Sequence, residues 1–255
     1  MTPDVVVDIG NTRMKWGLCR GGRVTEVVRL PLDDAAAWDA ALAALPPPKS
    51  FARKWAVASV NPPALLRFVM WSYNHGGTAV FEDYTLLPIR LNVDEPQKVG
   101  LDRLFGAVAA KAMVPPGTPA ITVDVGTAVT VNLIDAAGVF QGGAIMPGPR
   151  LMARALHEFT AKLPLSEPAD HYTDFLAPAK NTAAAIRTGI LAGLGGGVVQ
   201  LTCVLAEQCA TPPWLFVTGG GAHLLDVFNW SWIAGTTAVE ALTLEGIRIA
   251  AEALP

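Results

Sequence analysis

Three aspartates, each two residues from a glycine, are the side chains best placed to do chemistry. In "VVVDIGNTRMKWG", Val5 to Gly17, Asp8 stands near the end of an apolar β-branched run and is followed by Gly10 and Thr12. A glycine just past a strand lets an anion approach the backbone, and the next amides and the Thr12 hydroxyl can donate hydrogen bonds to it, which makes a phosphate cradle. The carboxylate at the strand's carboxyl end can hold a hydrated Mg²⁺ that offsets phosphate charge. One copy alone reads better as an ordinary Asx-Gly-Asn turn entering a hairpin. The phrase returns as "ITVDVGTAVTVN", Ile121 to Asn132, with Asp124 standing 116 residues after Asp8 and followed by Gly126 and Thr127, and the repetition favours the cradle. Neither a Walker A nor a G-x-G-x-x-G pattern occurs at these places, so P-loop and Rossmann readings have no support.

The third aspartate lies in "GLDR", Gly100 to Arg103. Directly before "RLFGAVAAKAM", Asp102 reads either as a helix N-cap or as a base or orienting group for an attacking hydroxyl, with Arg103 balancing substrate or transferring charge. "GGAIMPG" and "VTGGGA" bring backbone close to something flat or anionic, or are plain glycine turns. His75, His157, His171 and His223 show no metal-ligand spacing, and no serine, histidine and aspartate constellation suggests a hydrolase.

The elements that must position these residues follow from patterning. Val5 to Ile9, Arg13 to Arg20 and "RVTEVVRL" predict three strands, the last two joined at the pair Gly21 and Gly22. A helix over Leu32 to Leu45 stops at Pro46 to Pro48. "WAVASV" predicts a strand, "PALLRFVMWSYN" a helix, "TAVFED" a strand and Leu101 to Met113 a helix, before the breaker "VPPGTPA". The pattern then restarts with strands at Ala120 to Val125, Ala128 to Ile134 and Val139 to Ile145, helices at Pro149 to Leu163 and Thr182 to Gln208, the strand "WLFVTGGG" and a closing helix at Ala238 to Ala253. Two copies of one unit, residues 1–117 and 118–255, would set the two aspartate-bearing hairpins face to face across a cleft.

Composition narrows the partners. With 51% hydrophobic residues, 16% charged and a formal net charge of −3, the 255-residue chain can bury two ordinary cores and offers no basic surface for nucleic acid or anionic lipid. Cys19, Cys203 and Cys209 lack C-x-x-C spacing and read as buried thiols of a reducing compartment. The start has no signal-peptide pattern, which predicts a cytoplasmic protein. Thr188 to Ala206 is 19 residues without a charge, five of them glycine, close to a membrane span. Without flanking basic and aromatic anchors it is better read as a buried helix of a soluble protein, whose glycines, Gly189 and Gly193 among them, allow a close neighbour.

Taken together, "DIGNT", "ASVNPP", "VGLDR", "DVGTAVT", "GGAIMPG", "NTAAAIRTGI" and "VTGGGA" resemble the type III pantothenate kinases, in order and at suitable intervals from Val5 to about Gly246. That family belongs to the acetate and sugar kinase, Hsp70 and actin superfamily. The resemblance therefore implies an α/β fold of two duplicated ribonuclease-H-like domains (an actin-like ATPase fold) around a nucleotide cleft, in line with the duplication. It implies ATP-dependent phosphorylation of pantothenate, the first step of coenzyme A biosynthesis, by a homodimer using Mg²⁺ and a monovalent cation, K⁺ or NH₄⁺. By the same resemblance Asp8, Ile9, Gly10, Asn11, Thr12, Arg13, Met14 and Lys15 form the first ATP-phosphate loop and Thr127 is the ATP contact of the second. Asp102 is similar to the proton acceptor for the pantothenate hydroxyl, with Gly100, Leu101 and Arg103 around the substrate; Asp124 matches the monovalent-cation position; Thr182 matches a substrate contact from the partner subunit.

The chain departs from the family pattern at "VDEPQKVG", where Val93 replaces the usual tyrosine and Glu95 the asparagine, and at Gly221, where the family often has aspartate. Because the family includes Bvg accessory factors, a nucleotide-binding regulatory protein with weak or no kinase activity is a second expectation. A kinase for another small hydroxy acid is a third, since fold does not fix substrate.

Overall fold

In the computed structural model, which describes residues 1–48, 50–167, 171, 175 and 177–254, the chain forms two compact units, Met1–Met113 with Ala241–Pro255, and Val114–Glu240. The first unit is built on a hairpin. β1 (Val5–Ile9) and β2 (Met14–Arg20) pair antiparallel, and β2 turns into β3 (Arg23–Leu30) at Gly21 and Gly22, whose φ angles of 57° and 74° only glycine adopts readily. α1 (Ala35–Ala44), capped by Asp34, leads to β4 (Lys54–Ser59); α2 (Pro62–Ser72), capped by Asn61, leads to β5 (Gly77–Phe81). Both of these strands run parallel to β1, giving the order β3–β2–β1–β4–β5. The two-residue strand β6 (Arg90–Leu91) precedes α3 (Leu101–Met113).

Alternation along β1 divides the sheet's two faces. Val5, Val7 and Ile9 join Met14, Trp16, Trp55 and Val57 in a core closed by Trp38 of α1 and Phe68 of α2. Trp16 meets Trp55 edge to face at 5.1 Å between centroids, and each of these fully buried aromatics contributes about 3 kcal/mol of transfer free energy.

The second unit repeats the plan. β7 (Ala120–Val125), β8 (Ala128–Ile134) and β9 (Val139–Pro147) form an antiparallel meander, followed by α4 (Pro149–Glu158), α5 (Thr182–Ala206), β10 (Trp214–Thr218) and β11 (Gly235–Ala238). β10 lies parallel to β7, and β11 parallel to β10. Within this unit the order β9–β8–β7–β10–β11 matches that of the first sheet strand for strand and sense for sense. α4 stops at Glu158, short of Leu163, where the Thr160 hydroxyl bonds the Leu156 carbonyl and the chain turns away. β11 is not expected from the sequence, and the closing helix begins at Leu242 rather than Ala238.

α5 is long and apolar enough to cross a membrane by length and composition, yet Leu191, Leu194 and Val198 along one side pack into the core with Ile121, Val123, Val129 and Val131. The glycines that admit a neighbour are not the expected pair. A Cβ on Gly195 would strike the Phe228 ring and one on Gly197 would lie 2.9 Å from Met146 Cε, whereas Gly189 and Gly193 meet nothing within 4 Å.

The last helix, α6 (Leu242–Ala253), corrects a simple division at residue 117. Its buried residues Leu242, Leu244, Ile247 and Ala251 pack on α3 and on the first sheet, so the chain's end completes the first unit. The three cysteines are free and half-buried rather than buried; burial pushes the Cys19 thiol up to about 12, which keeps it protonated and unreactive.

Candidate functional site

In the first unit the site grows from the end of β1. Asp8 lies opposite Lys15 of β2 and beside Ala58 of β4, and the Lys15 ammonium stands 3.7 Å from its carboxylate. Between them the chain reverses in four residues, closed by the Gly10 N–H donating to the Arg13 carbonyl at 3.2 Å. Asn11, Thr12 and Arg13 are exposed on this loop, while Ile9 and Met14 are fully buried and anchor it rather than facing a ligand. "ASVNPP" supports the loop from the neighbouring strand: the Val60 N–H donates to the Ile9 carbonyl at 3.1 Å and the Ser59 hydroxyl reaches the same oxygen at 3.4 Å. By alternation, Asp8 shares the face of Val6, which α6 covers through Leu244.

The second unit has an equivalent loop. Asp124 lies opposite Thr130 of β8 and beside Thr218 of β10. The turn is closed by the Gly126 N–H donating to the Ala128 carbonyl at 3.0 Å, and Thr127 accepts from the Gly148 N–H at 3.0 Å. "GGAIMPG" and "VTGGGA" thus approach backbone rather than an open face: a Cβ on Gly148 would overlap the Gly126 and Thr127 carbonyls. One on Gly219, whose φ is +94°, would overlap the Asp124 carboxylate and lie 2.6 Å from the Val125 nitrogen. Gly221 donates its N–H to the Val125 carbonyl at 3.0 Å, holding the same corner. The supporting roles of Ser59, Gly148 and Gly219 escape sequence reasoning, although Ser59 and Gly219 stand at the ends of the equivalent strands β4 and β10. On the Asp124 face, the buried Asn132 amide donates to the Thr122 hydroxyl at 3.2 Å.

Asp102 is not an N-cap. The Gly100 carbonyl accepts the first helical bond, from the Leu104 N–H at 3.3 Å, so Gly100 caps α3 and Asp102 is its second residue. Its Oδ1 accepts from the Arg103 N–H at 2.9 Å and rests 2.5 Å from where a Gly100 Cβ would stand, a place only glycine leaves open. Burial pushes the Arg103 guanidinium below its ordinary value and the adjacent Asp102 holds it up; it stays cationic. Leu101, Asp102 and Arg103 are all half-buried, leaving part of each side chain to a ligand. Val93 is half-buried just upstream, and Glu95 is exposed and paired with Lys98 at 2.6 Å. Thr182 is exposed at the first position of α5, whose cap, Asn181, accepts from the Ala184 N–H at 2.9 Å.

Among the described residues no group of three His, Cys, Asp or Glu side chains is gathered to hold a metal. The protein alone therefore offers single strand-end carboxylates in polar loops. These suit an ion that also takes oxygens from a phosphate-bearing ligand.

The family profile described as type III pantothenate kinase matches residues 5–203. The type III pantothenate kinase of Halorhodospira halophila is 33% identical over 225 residues, 85% of this chain and 86% of that protein. That of Rhodospirillum centenum is 33% identical over 267 residues, 96% of each. Among solved structures, a conserved Baf family protein from Campylobacter jejuni superposes with a TM-score of 0.58 at 18% identity, covering 97% of both chains. The activator of 2-hydroxyisocaproyl-CoA dehydratase from Clostridium difficile, solved with ADPNP, does so with a TM-score of 0.53 at 10% identity, over 99% of this chain and 96% of that one. These likenesses show the fold, two ribonuclease-H-like halves of the actin-like ATPase type, and the sequence matches show the lineage: the chain belongs to the type III pantothenate kinase family.

Proposed function

We propose that this protein transfers the γ-phosphoryl group of ATP to the terminal hydroxyl of pantothenate, the opening step of coenzyme A synthesis, in the cytoplasm. The observation that carries the reading is the placement of Asp8 and Asp124 at the same register of two sheets with the same strand order, each followed by a glycine turn, in a chain of this kinase family. Residues Asp8 to Lys15 bind the ATP phosphates, with Gly10 and Asn11 to Arg13 offering backbone and hydroxyl donors and Lys15 a cation; Thr127 is the contact from the second loop. Asp102 takes the proton of the pantothenate hydroxyl as its oxygen bonds to the γ-phosphorus and the bond to the β-phosphate oxygen breaks, releasing ADP. Arg103 balances the charge gathered there, and Gly100 and Leu101 line the acceptor.

Asp8 is a fitting carboxylate for Mg²⁺, which characteristically takes one or two carboxylates with substrate phosphates. When bound, the ion would offset the negative charge of the ATP phosphates. Asp124, with the Thr130 hydroxyl opposite, gives an all-oxygen setting suited to K⁺ or NH₄⁺.

The active unit is a homodimer. Ala185, Gly189, Gly193 and Gly196 form an exposed small-residue face on α5, a face on which a second helix can approach closely, and Thr182 heads that face. By the family resemblance, Thr182 at the head of that face is the position from which a second copy contributes a substrate contact.

The test is ADP release with pantothenate and with a panel of other small hydroxy acids, in potassium and in sodium. Pantothenate-dependent, potassium-stimulated release is expected. Release with a different acid alone moves the substrate assignment. Nucleotide binding without release for any acceptor is the outcome a Bvg accessory factor-like regulatory protein would give.

A further inference from the structure

α6 lies against α3, the helix whose first turn carries Asp102. At their crossing the two backbones touch. A Cβ on Gly246 of α6 would overlap the Phe105 carbonyl oxygen and stand 2.5 Å from its carbon and 2.8 Å from the Phe105 Cα. No flexible side chain lies there to yield, so any side chain at 246 must move one helix as a body. Phe105 is one turn on from Asp102, and the contact therefore fixes the depth at which the first turn of α3 sits.

The other side of α6 is also fixed. Glu245 and Arg248, 7% and 9% exposed, form a buried pair at 2.7 Å, Arg248 also binds Glu252 at 2.6 Å, and Glu245 Oε1 accepts the N–H of Val24 on β3 at 2.6 Å. The helix is thus tied to β3, the neighbour of the strand β2 that leaves the Asp8 loop, and pressed on the helix that carries Asp102. It lies beyond residues 5–203, the extent of the family match.

We propose that Gly246 is a positioning residue for phosphoryl transfer: α6 is a strut, braced on β3 through Glu245, that sets Asp102 through the Gly246–Phe105 contact. The inference rests on the assignment of Asp102 as base. Gly246→Ala forces the helices apart, and since a misplacement of about 1 Å can cost ~10²-fold in rate, kcat falls at least ~10-fold while KM for ATP stays within ~2-fold. The same substitution in an Asp102→Asn background lowers kcat by less than ~3-fold, because the group being positioned is already gone. Gly106→Ala is the control, since its Cβ would lie 4.0 Å from Leu242 Cδ2, an ordinary contact, and it keeps the parent's kcat within ~2-fold.

A Gly246→Ala enzyme with parental kcat overturns the strut alone. Full multiplication of its effect with that of Asp102→Asn also overturns it, because a general loss of structure does not act through Asp102. An Asp102→Asn enzyme with parental kcat overturns the base assignment and the strut together. If Gly246→Ala yields no folded protein, Glu245→Gln carries the same test. It keeps an acceptor for Val24 but removes the charge pairing, so kcat falls ~3-fold or more, and an unchanged kcat overturns the proposal.

Discussion

Replacing Asp102 by asparagine separates chemistry from stability because the local structure is nearly retained. Asparagine keeps the size of the side chain and an Oδ1 that can accept the Arg103 N–H, the bond that holds the carboxylate at 2.9 Å. What is lost structurally is one negative charge in the first turn of α3, worth about 0.3–1 kcal/mol against the helix dipole, or roughly 1–4 °C in Tm for a chain of this size. Arg103 loses the neighbour that holds its guanidinium up, yet an arginine remains charged at any working pH. A general base contributes about 10²–10⁴-fold, so turnover should fall at least ~10²-fold, a barrier rise of about 2.7 kcal/mol that exceeds the whole stability change. The assay is pantothenate-dependent ADP release, read beside thermal denaturation and KM for ATP, which should be nearly unchanged. Turnover within a few-fold of the parent would refute the reasoning, and so would a loss of turnover that merely followed a loss of ATP affinity or of folded protein.

Gly219→Ala combines a positive φ with overlap on Asp124 and Val125, so it should destabilise the second unit by about 2–4 kcal/mol in urea unfolding and raise KM for ATP; a loss under about 0.5 kcal/mol would show that the corner relaxes freely. Activity should be lower in sodium than in potassium, and Asp124→Asn should abolish the difference; an Asp124→Asn enzyme still stimulated by potassium places the cation elsewhere. Gly193→Leu meets open space within one chain, so if the parent scatters as the proposed dimer, the variant should scatter as a folded monomer, and an intact dimer of the variant rules out this face. Val93→Tyr restores a hydroxyl able to bond the substrate, and a hydrogen bond to a charged group is worth about 1.5–3 kcal/mol, so KM for pantothenate should drop roughly ten-fold with KM for ATP unchanged; weaker pantothenate binding instead means that the pocket is built around valine.

Which features the sequence revealed depends on how local their causes are. The strands from Val5 to Leu30 were legible because their alternation and the Gly21–Gly22 turn lie within one hairpin. α3 and the strands β7 and β8 were legible to the residue for the same reason. β11 was not, since its four residues are held only by parallel pairing with β10, some twenty residues earlier. The destination of α6 was likewise hidden: an apolar pattern shows that a face is buried, not which sheet buries it. The glycines of α5 lay between these cases. Gly195 falls on the stripe of Leu191, Leu194 and Val198 and therefore meets Phe228, while Gly189, Gly193 and Gly196 turn away, a division set by helical period that spacing of glycine to glycine alone obscures.

At the site, the repeated phrase made Asp8 and Asp124 legible as equivalents, but only the register shows where the copies diverge. Each aspartate is the penultimate residue of a strand that is third in its sheet, counted from β5 in the first and from β11 in the second. Across the hairpin Asp8 meets Lys15, while Asp124 meets Thr130. On the parallel side Asp8 lies beside Ala58, whereas Asp124 has Thr218 and then Gly219, whose missing Cβ lets the loop close on the carboxylate. A lysine beside the first carboxylate adds a positive donor suited to phosphate oxygens; hydroxyls beside the second add oxygen acceptors and no cation of their own. On the proposed assignment, one duplicated turn serves two coordination chemistries through its cross-strand partners, positions that no motif spanning the turn itself contains. The potassium dependence assigned to Asp124 and the ATP-phosphate contacts assigned to Asp8 through Lys15 follow from that difference, and exchanging the partners, Lys15→Thr, should weaken ATP while leaving the cation response in place.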